Sequence, residues 1–406
     1  MALDTTTLGE LLHEIYSPAA IECIQGYTSA LFDAMPVAPE TLGGSDTNFA
    51  VEALADRNFK FHGENAAFAD AGNSTVLKAS LSPKVFSGVI QMSGLAKAVS
   101  GAQFAFEDGW MSEVDRKLKA MTEYLEGALV RDGTGLLCLV NEPSAVPNTT
   151  SGNLNVDTPG TVHLKRNMYV DFHDTSTNER EGTSKITDVD HANNAITLAE
   201  DISSFIGDNS KLYIKGAQAS GAAAAVEFNG LADQIKTSGT WNGQALATYT
   251  QLKGNVISAG STDLTEDLMQ RAQDRTEIEG GVTAGNADKF MFLMHPQQRR
   301  KYLDLVRASK QFLGLSLDAG YTGLTYNGAP ILVTRDAKPS EVYCGDFGQF
   351  QKFYTAKGGL QIDGERGLGW LDGFDVMYMV LKTYMQTAVR NPRAFCRIES
   401  LTTPSF

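Results

Sequence analysis

Apolar residues run along this chain in two rhythms, one helical and one strand-like. From Trp110 to Gly135 they fall at Val114, Leu118, Met121, Leu125 and Ala128, in steps of four and three with charged side chains between them. That spacing predicts a long amphipathic helix with one buried stripe. Ser112 followed by Asp115 has the form of a capping box at its start, and Gly133 supplies the left-handed residue that stops it. A helix of about 20 residues is about 30 Å long, enough to cross a small domain, so it reads as a spine. Further helices are predicted from Ser17 to Pro36, through Ile21, Ile24, Thr28, Leu31 and Met35, and from Thr262 to Glu279, through Leu264, Leu268 and Ala272 with Gly280-Gly281 as terminator. The stretch HPQQRRKYLDLVRASKQF, with Pro296 in its first turn, is another, and it follows a buried strand from Phe290 to Met294.

The second rhythm has period two. Between 161 and 215, Met168, Val170 and Phe172 alternate with polar residues, as do Ile196 with Leu198 and Leu212 with Ile214, and EREG and DHANN supply turns. A small antiparallel sheet or barrel with one wet face is expected there. Leu136 to Val140 reads as a short strand followed by a turn-rich linker. From Gly328 onward the segments PILVT, EVYCGDF, FYTA and Val376 to Val389 read as strands, and Pro392 breaks the pattern before Phe395 to Ile398. Residues 1 to 50 form an arm with one helix. Asp56 to about Ser87 is too rich in Gly, Ala, Ser and Asn to build a core of its own, yet carries Phe59, Phe61, Phe68, Val76 and Leu77.

Composition narrows the function. The 406 residues are 42% apolar and 20% charged, an ordinary globular balance with room for two or three domains. A net charge of -14, from 48 acidic against 34 basic residues, opposes broad phosphate binding. Cys23, Cys138, Cys344 and Cys396 form no CxxC pair and read as buried free thiols in a reducing compartment. The N-terminus lacks the basic and apolar regions of a signal peptide, and the longest apolar runs fall far short of the ~20 residues of a membrane helix, so a soluble intracellular protein with no membrane contact is expected.

No phosphate-binding glycine loop, dinucleotide fingerprint, nucleophile elbow or HExxH motif occurs. The six histidines lack metal-ligand spacing, and the pairs His173-Asp174 and Asp190-His191 point to opposite faces of a strand, which reads as solvated polar residues. No catalytic residue, cofactor or metal is therefore assigned, and the chain reads as no enzyme. The cluster Arg299, Arg300, Lys301, Arg307 and Lys310 is either a solvated helix face or a contact for acidic residues of a neighbouring subunit.

The order of these segments carries a resemblance. FKFHGENAAFADAGNSTVLKASLSPKVFSGVIQMSGLAKAVSG at 59 to 101, then the spine, a mixed middle, and finally DVMYMVLKTYMQTAVRNPRAFCRIESL at 375 to 401 resemble the major capsid proteins of tailed bacteriophages, whose shell fold is shared with encapsulins and herpesvirus capsid floors. The resemblance covers about residues 51 to 401. It implies an α+β fold with an N-terminal arm (1–55), an extended loop and strand (56–101), a peripheral domain with the spine helix (102–140 and 370–406), a mixed α/β axial domain (141–160 and 216–369) and an inserted β domain (161–215). It implies a structural protein of the virion capsid, assembled in the host cytoplasm as pentamers and hexamers of itself, with portal and scaffolding partners, enclosing double-stranded DNA without sequence-specific binding. Phe59, Phe61, Phe68, Leu77, Lys78, Lys84, Arg299 and Arg300 are then intersubunit contacts. Some such capsids crosslink themselves through a loop lysine, an asparagine and a catalytic glutamate; Lys78, Lys84 and Asn391 do not align with that chemistry. The rivals are an encapsulin-like nanocompartment shell and an uncharacterised α/β enzyme.

Overall fold

The computed structural model describes residues 30–43, 47–96, 109–311, 324–355, 361–362, 369–370 and 373–404, apart from 66, 69, 144–145, 152, 158, 222–225 and 288. Few helices and many strands make an α+β fold, and the chain divides into two compact units. Of the predicted arm helix, α1 (Ala30–Ala34) is described, while residues 17–29 lie outside the described set. Among the described residues no helix is long and apolar enough to cross a membrane.

The larger unit takes in Ser29–Val85, Tyr124–Gly359 and Tyr384–Phe406. It begins with an antiparallel ribbon of β1 (Thr47–Leu54) and β2 (Thr75–Leu81), in which Phe49 faces Ala79 and Val51 faces Leu77. Period-two alternation puts Phe49, Leu77, Ala79 and Leu81 on one face, where they pack with Trp241 and Phe353. The rings of Phe49 and Phe353 stack at 5.8 Å. Trp241 is delivered by the hairpin of β10 (Thr240–Trp241) and β11 (Gln244–Ala245), whose turn residues Asn242 and Gly243 both have positive φ, as an Asn-Gly hairpin turn requires.

A six-stranded mixed sheet forms the centre of this unit, in the order β12 (Asn255–Thr262), β21 (Phe395–Leu401), β16 (Val342–Asp346), β13 (Phe290–Met294), β15 (Ala329–Val333) and β14 (Thr325–Tyr326). The β12–β21 and β13–β15 pairs are parallel and the others antiparallel. Because β13 is buried within the sheet, its sequence FMFLM is apolar throughout rather than alternating. Its core also holds α4 (Glu266–Gly280), through Leu268, Met269 and Ala272. Thr265 caps α4 by accepting the Leu268 N–H, and Gly281 ends it at φ 67°. A short α3 (Leu231–Gln234) is entered through Gly230, where any side chain would strike the carbonyls of Ala128 and Arg131 at the end of the spine helix. A further long helix, α5 (Pro296–Gln311), begins at the predicted proline.

The second sheet of this unit has the order β4 (Leu136–Leu139), β9 (Lys211–Ile214), β6 (Tyr169–His173), β7 (Arg180–Asp190), β8 (Ala195–Leu198) and β5 (Leu154–Asn155), with every neighbouring pair antiparallel. Leu137, Val170, Phe172, Ile186, Ile196 and Leu212 fill its core. The sheet therefore starts at Leu136, not at 161: β4 and β5 complete its two edges, and Thr149 between them donates to the Glu200 carbonyl at 3.0 Å. Nor is β6 wet on one face. Asp171 is buried and accepts the Gly216 N–H at 2.9 Å, and His173 is buried edge-on against Tyr213 with its Nδ1 2.9 Å from the Asn178 carbonyl. The reading of His173 as solvated is corrected accordingly; His191 is exposed, as expected.

The smaller unit contains Phe86–Glu123 and Leu360–Thr383. Here β3 (Lys84–Ser93), β18 (Gln361–Ile362) and β19 (Gly369–Trp370) pair with the long β20 (Val376–Val389), whose last residues pair with β17 (Phe350–Tyr354). The spine helix is α2 (Gly109–Val130). Val114, Leu118 and Met121 from its stripe pack on Ile90, Met377 and Leu381; Leu129 and Val130 at its other end join Leu31, Leu231 and Phe395 in the larger unit's core. The helix stops short of Gly133, which has φ 74°. The proposed Ser112 cap falls on side chains outside the described set.

Candidate functional site

The ribbon of β1 and β2 leads into a loop from Ala55 to Ser74 that carries the most exposed aromatic residues among those described. The strands turn apart where the apolar alternation ends, and polar side chains clasp the loop's base. Asp56 accepts the N–H groups of Asn58 at 2.9 Å and Gly72 at 3.1 Å, and Asn58 donates its side-chain amide to the Asp70 carbonyl. Beyond this clasp Phe59, Phe61 and Phe68 are 85%, 104% and 80% exposed. His62 sits edge-on to Phe68 at 5.0 Å. Burying a Phe side chain is worth about 1.5–3 kcal/mol, so three rings left in water form a surface that gains free energy when covered.

Leu77 does not share that surface. It is 9% exposed and packed with Phe49, Trp241 and Phe353, because strand pairing turns it to the ribbon's inner face. Its assignment as an intersubunit contact is corrected to a residue of its own subunit's core. Its neighbour Lys78 points outward and is exposed, while its carbonyl accepts the Gln244 side-chain amide at 2.6 Å. Lys84 is half-buried, and burial lowers its pKa. Asn391 accepts the Arg393 N–H at 3.1 Å and so is used as a turn cap.

On α5, Arg299 and Arg300 are exposed, and Tyr302 turns inward to donate to the Thr325 carbonyl at 2.7 Å. Lys301 pairs with Asp263 at 2.8 Å and Arg307 with Asp304 at 3.6 Å. Two members of this basic cluster are thus matched by acids of the same chain. The aromatic tip and the two arginines lie on separate elements, and the structure gives them no common site.

A cavity of about 520 Å³ is lined by Lys165, His191, His295, Gln297 and Arg335 among others, but by no carboxylate or thiol. Its chemistry is already committed. Lys165 and Arg335 lie 3.7 and 3.8 Å from Asp336, and His295 accepts the Gln297 N–H while burial lowers its pKa to about 4. Among the described residues no group of three His, Cys, Asp or Glu side chains could hold a metal ion.

What periodicity missed is a set of buried polar clamps around α2. The Glu126 carboxylate takes the Leu31 and Phe32 N–H groups, while Lys352 and Lys289 donate to the Phe32 and Ala34 carbonyls at 2.7 Å, so α1 is held at both ends. Glu227 receives Arg131, the Tyr124 hydroxyl and the Gly135 N–H. A charged residue interrupting an apolar stripe was the one available signal.

No family profile and no curated protein matches the sequence. Solved structures do. The capsid of cyanophage A-1(L) is similar with a TM-score of 0.60 at 12% identity, over 98% of this chain and 100% of that one. The capsid of the native GTA particle gives 0.56 at 12% identity, over 99% and 100%. The holo-SrpI encapsulin of Synechococcus elongatus PCC 7942 gives 0.51 at 10% identity, over 100% and 98%. At such identities the likeness is one of fold, and it extends over essentially the whole chain.

Proposed function

Because the chain has the shell fold of tailed-phage major capsid proteins, we propose that it is a structural subunit that assembles with copies of itself, as pentamers and hexamers, into an icosahedral capsid enclosing packaged double-stranded DNA. The observation that carries this reading is the end-to-end match to a capsid subunit, which spans nearly the whole of both chains. Three loop phenylalanines left exposed among the described residues support it: Phe59, Phe61 and Phe68 are the contacts we assign to a neighbouring subunit, with Lys78, Lys84, Arg299 and Arg300 as polar contacts at other boundaries. A net charge of -14 suits an inner wall that lets DNA slide rather than stick. Portal and scaffolding proteins are the partners such a shell needs, and assembly belongs in the host cytoplasm before the protein resides in the virion. Closure comes from many weak, repeated interfaces.

Negative-stain imaging and analytical ultracentrifugation of the purified full chain test the proposal. Closed shells or five- and six-fold capsomers are expected; a strict monomer at high concentration overturns it. The encapsulin match supports a second reading, a protein nanocompartment. A co-purifying cargo protein inside the shells, in place of nucleic acid, would favour it.

A further inference from the structure

Cys344 lies on β16 and Cys396 on β21, and the register of these antiparallel strands sets the two directly opposite each other. Opposed residues on such strands have Cα atoms about 4.5 to 5.5 Å apart, inside the roughly 4.4 to 6.8 Å that a disulfide spans. Both thiols enter the same core and are fully buried. The strands come close here because Gly345, beside Cys344, has no side chain: a Cβ on it would strike the Ala394 carbonyl and Phe395. Cys138 is buried in the other sheet's core and does not compete.

We propose that Cys344 and Cys396 are an oxidisable dithiol that takes a small-molecule disulfide, such as oxidised glutathione, as its co-reactant and closes to a cross-strand disulfide. One cysteine, as thiolate, attacks a sulfur of the glutathione disulfide; a protein–glutathione S–S bond forms as the glutathione S–S bond breaks, and one glutathione leaves as thiolate and takes up a proton. The opposed thiolate then attacks the protein sulfur of that mixed disulfide and expels the second glutathione. The protein gives up two protons and two electrons, and one glutathione disulfide becomes two glutathione thiols.

Burial sets the rate and favours the product. It raises the Cys344 thiol well above the ordinary range, with Cys396 adding to the effect, and lifts Cys396 to about 12, so thiolate is scarce while the sheet is closed and exchange waits for β21 to open locally. The disulfide itself carries no charge and needs no hydrogen-bond partner in an apolar core. The chain stays a dithiol in a reducing cell and becomes crosslinked after prolonged contact with an oxidising medium, with β21, an inner strand of the sheet, tied to β16.

The test uses the full chain, incubated with excess oxidised glutathione at mildly alkaline pH, acid-quenched, alkylated in denaturant and mapped without reduction. The expected result is the loss of two alkylatable thiols, a linked peptide pair containing Cys344 and Cys396, and an unfolding temperature about 5 °C higher that a reducing agent reverses. Cys344→Ala and Cys396→Ala should each abolish the link and the shift. If either variant fails to fold, the wild-type peptide map decides alone. Four thiols still alkylatable after prolonged incubation, a stable glutathione adduct on either cysteine, or a link through Cys23 or Cys138 would overturn the proposal.

Discussion

The carboxylate of Glu126 receives the backbone N–H of Phe32 at 2.8 Å through one oxygen and that of Leu31 at 2.9 Å through the other, fixing the start of α1 to the C-terminal part of the spine helix. Burial raises the Glu126 pKa from 4.5 to about 7; the two N–H donors pull it down, and Asp336 and Asp33 push it further up.

A pH dependence follows with a definite sign. Since the folded-state pKa is the higher one, the folded protein holds a proton that the unfolded chain has released, so this contribution is full below about pH 4.5 and is lost as pH rises through 7. His163 and His295, whose pKa values burial lowers, act oppositely: their contribution is lost as pH falls below 6.5. The comparison is therefore wild type against Glu126→Gln at each pH. The stability advantage of wild type over the variant should shrink by a few kcal/mol between pH 4.5 and 7, read by urea unfolding. A difference that does not change with pH would show that Glu126 does not titrate in this window.

Loop and ribbon should respond differently to substitution. Changing Phe59, Phe61 and Phe68 together to Ser should leave the unfolding temperature of the subunit nearly unchanged, because none belongs to a core cluster of the described residues, while sharply raising the concentration needed for shell formation. Leu77→Ala should do the reverse and cost the subunit about 2–5 kcal/mol, as core truncations do. A triple variant that melts much earlier than wild type yet assembles normally would place the tip inside its own subunit.

These contrasts mark where sequence reading runs out. The stripe from Val114 to Ala128, the Gly280-Gly281 stop and Pro296 were legible because each rests on local periodicity or backbone chemistry that neighbours in sequence decide. Leu77 was not, because TVLKASL alternates equally well as an exposed strand, and only pairing with β1 selects which face is buried. Strand β5 is two residues long and carries no periodic signal, so in the sequence this edge of the sheet is indistinguishable from a linker. Glu126 looked like one more charge on an amphipathic helix; its role depends on Leu31, 95 positions away. Cys344 and Cys396 show the same limit, since nothing in their spacing announces a shared register.

The second sheet should fold when expressed alone from Leu136 to Gly216, because its core is made from residues inside those limits. Its far-ultraviolet circular dichroism should be of strand type with cooperative thermal loss. A piece beginning at 161 should be markedly less stable, since it lacks β4 and β5 and leaves β8 and β9 as open edges. Equal stability of the two pieces would refute the wider boundary.

The buried pair of Arg131 and Glu227 supplies the sharpest stability test. Arg131 lies just beyond the spine helix; its guanidinium pairs with Glu227 and sits 4.8 Å over the Tyr124 ring. The Tyr124 hydroxyl donates to the same carboxylate at 2.6 Å and the Gly135 N–H at 2.9 Å, so one side chain serves the helix end and the turn that follows it. Glu227→Ala would leave a cation, a hydroxyl and an amide without their acceptor, and should cost about 3–5 kcal/mol. Replacing both charges, Arg131→Met with Glu227→Leu, should cost less than the single change because no uncompensated charge stays behind, although the Gly135 N–H loses its acceptor in either case. Urea unfolding of the two variants decides it. If the double variant is as unstable as Glu227→Ala, the loss comes from the hydroxyl and amide rather than from a stranded charge, and the pair is not what holds the end of the spine.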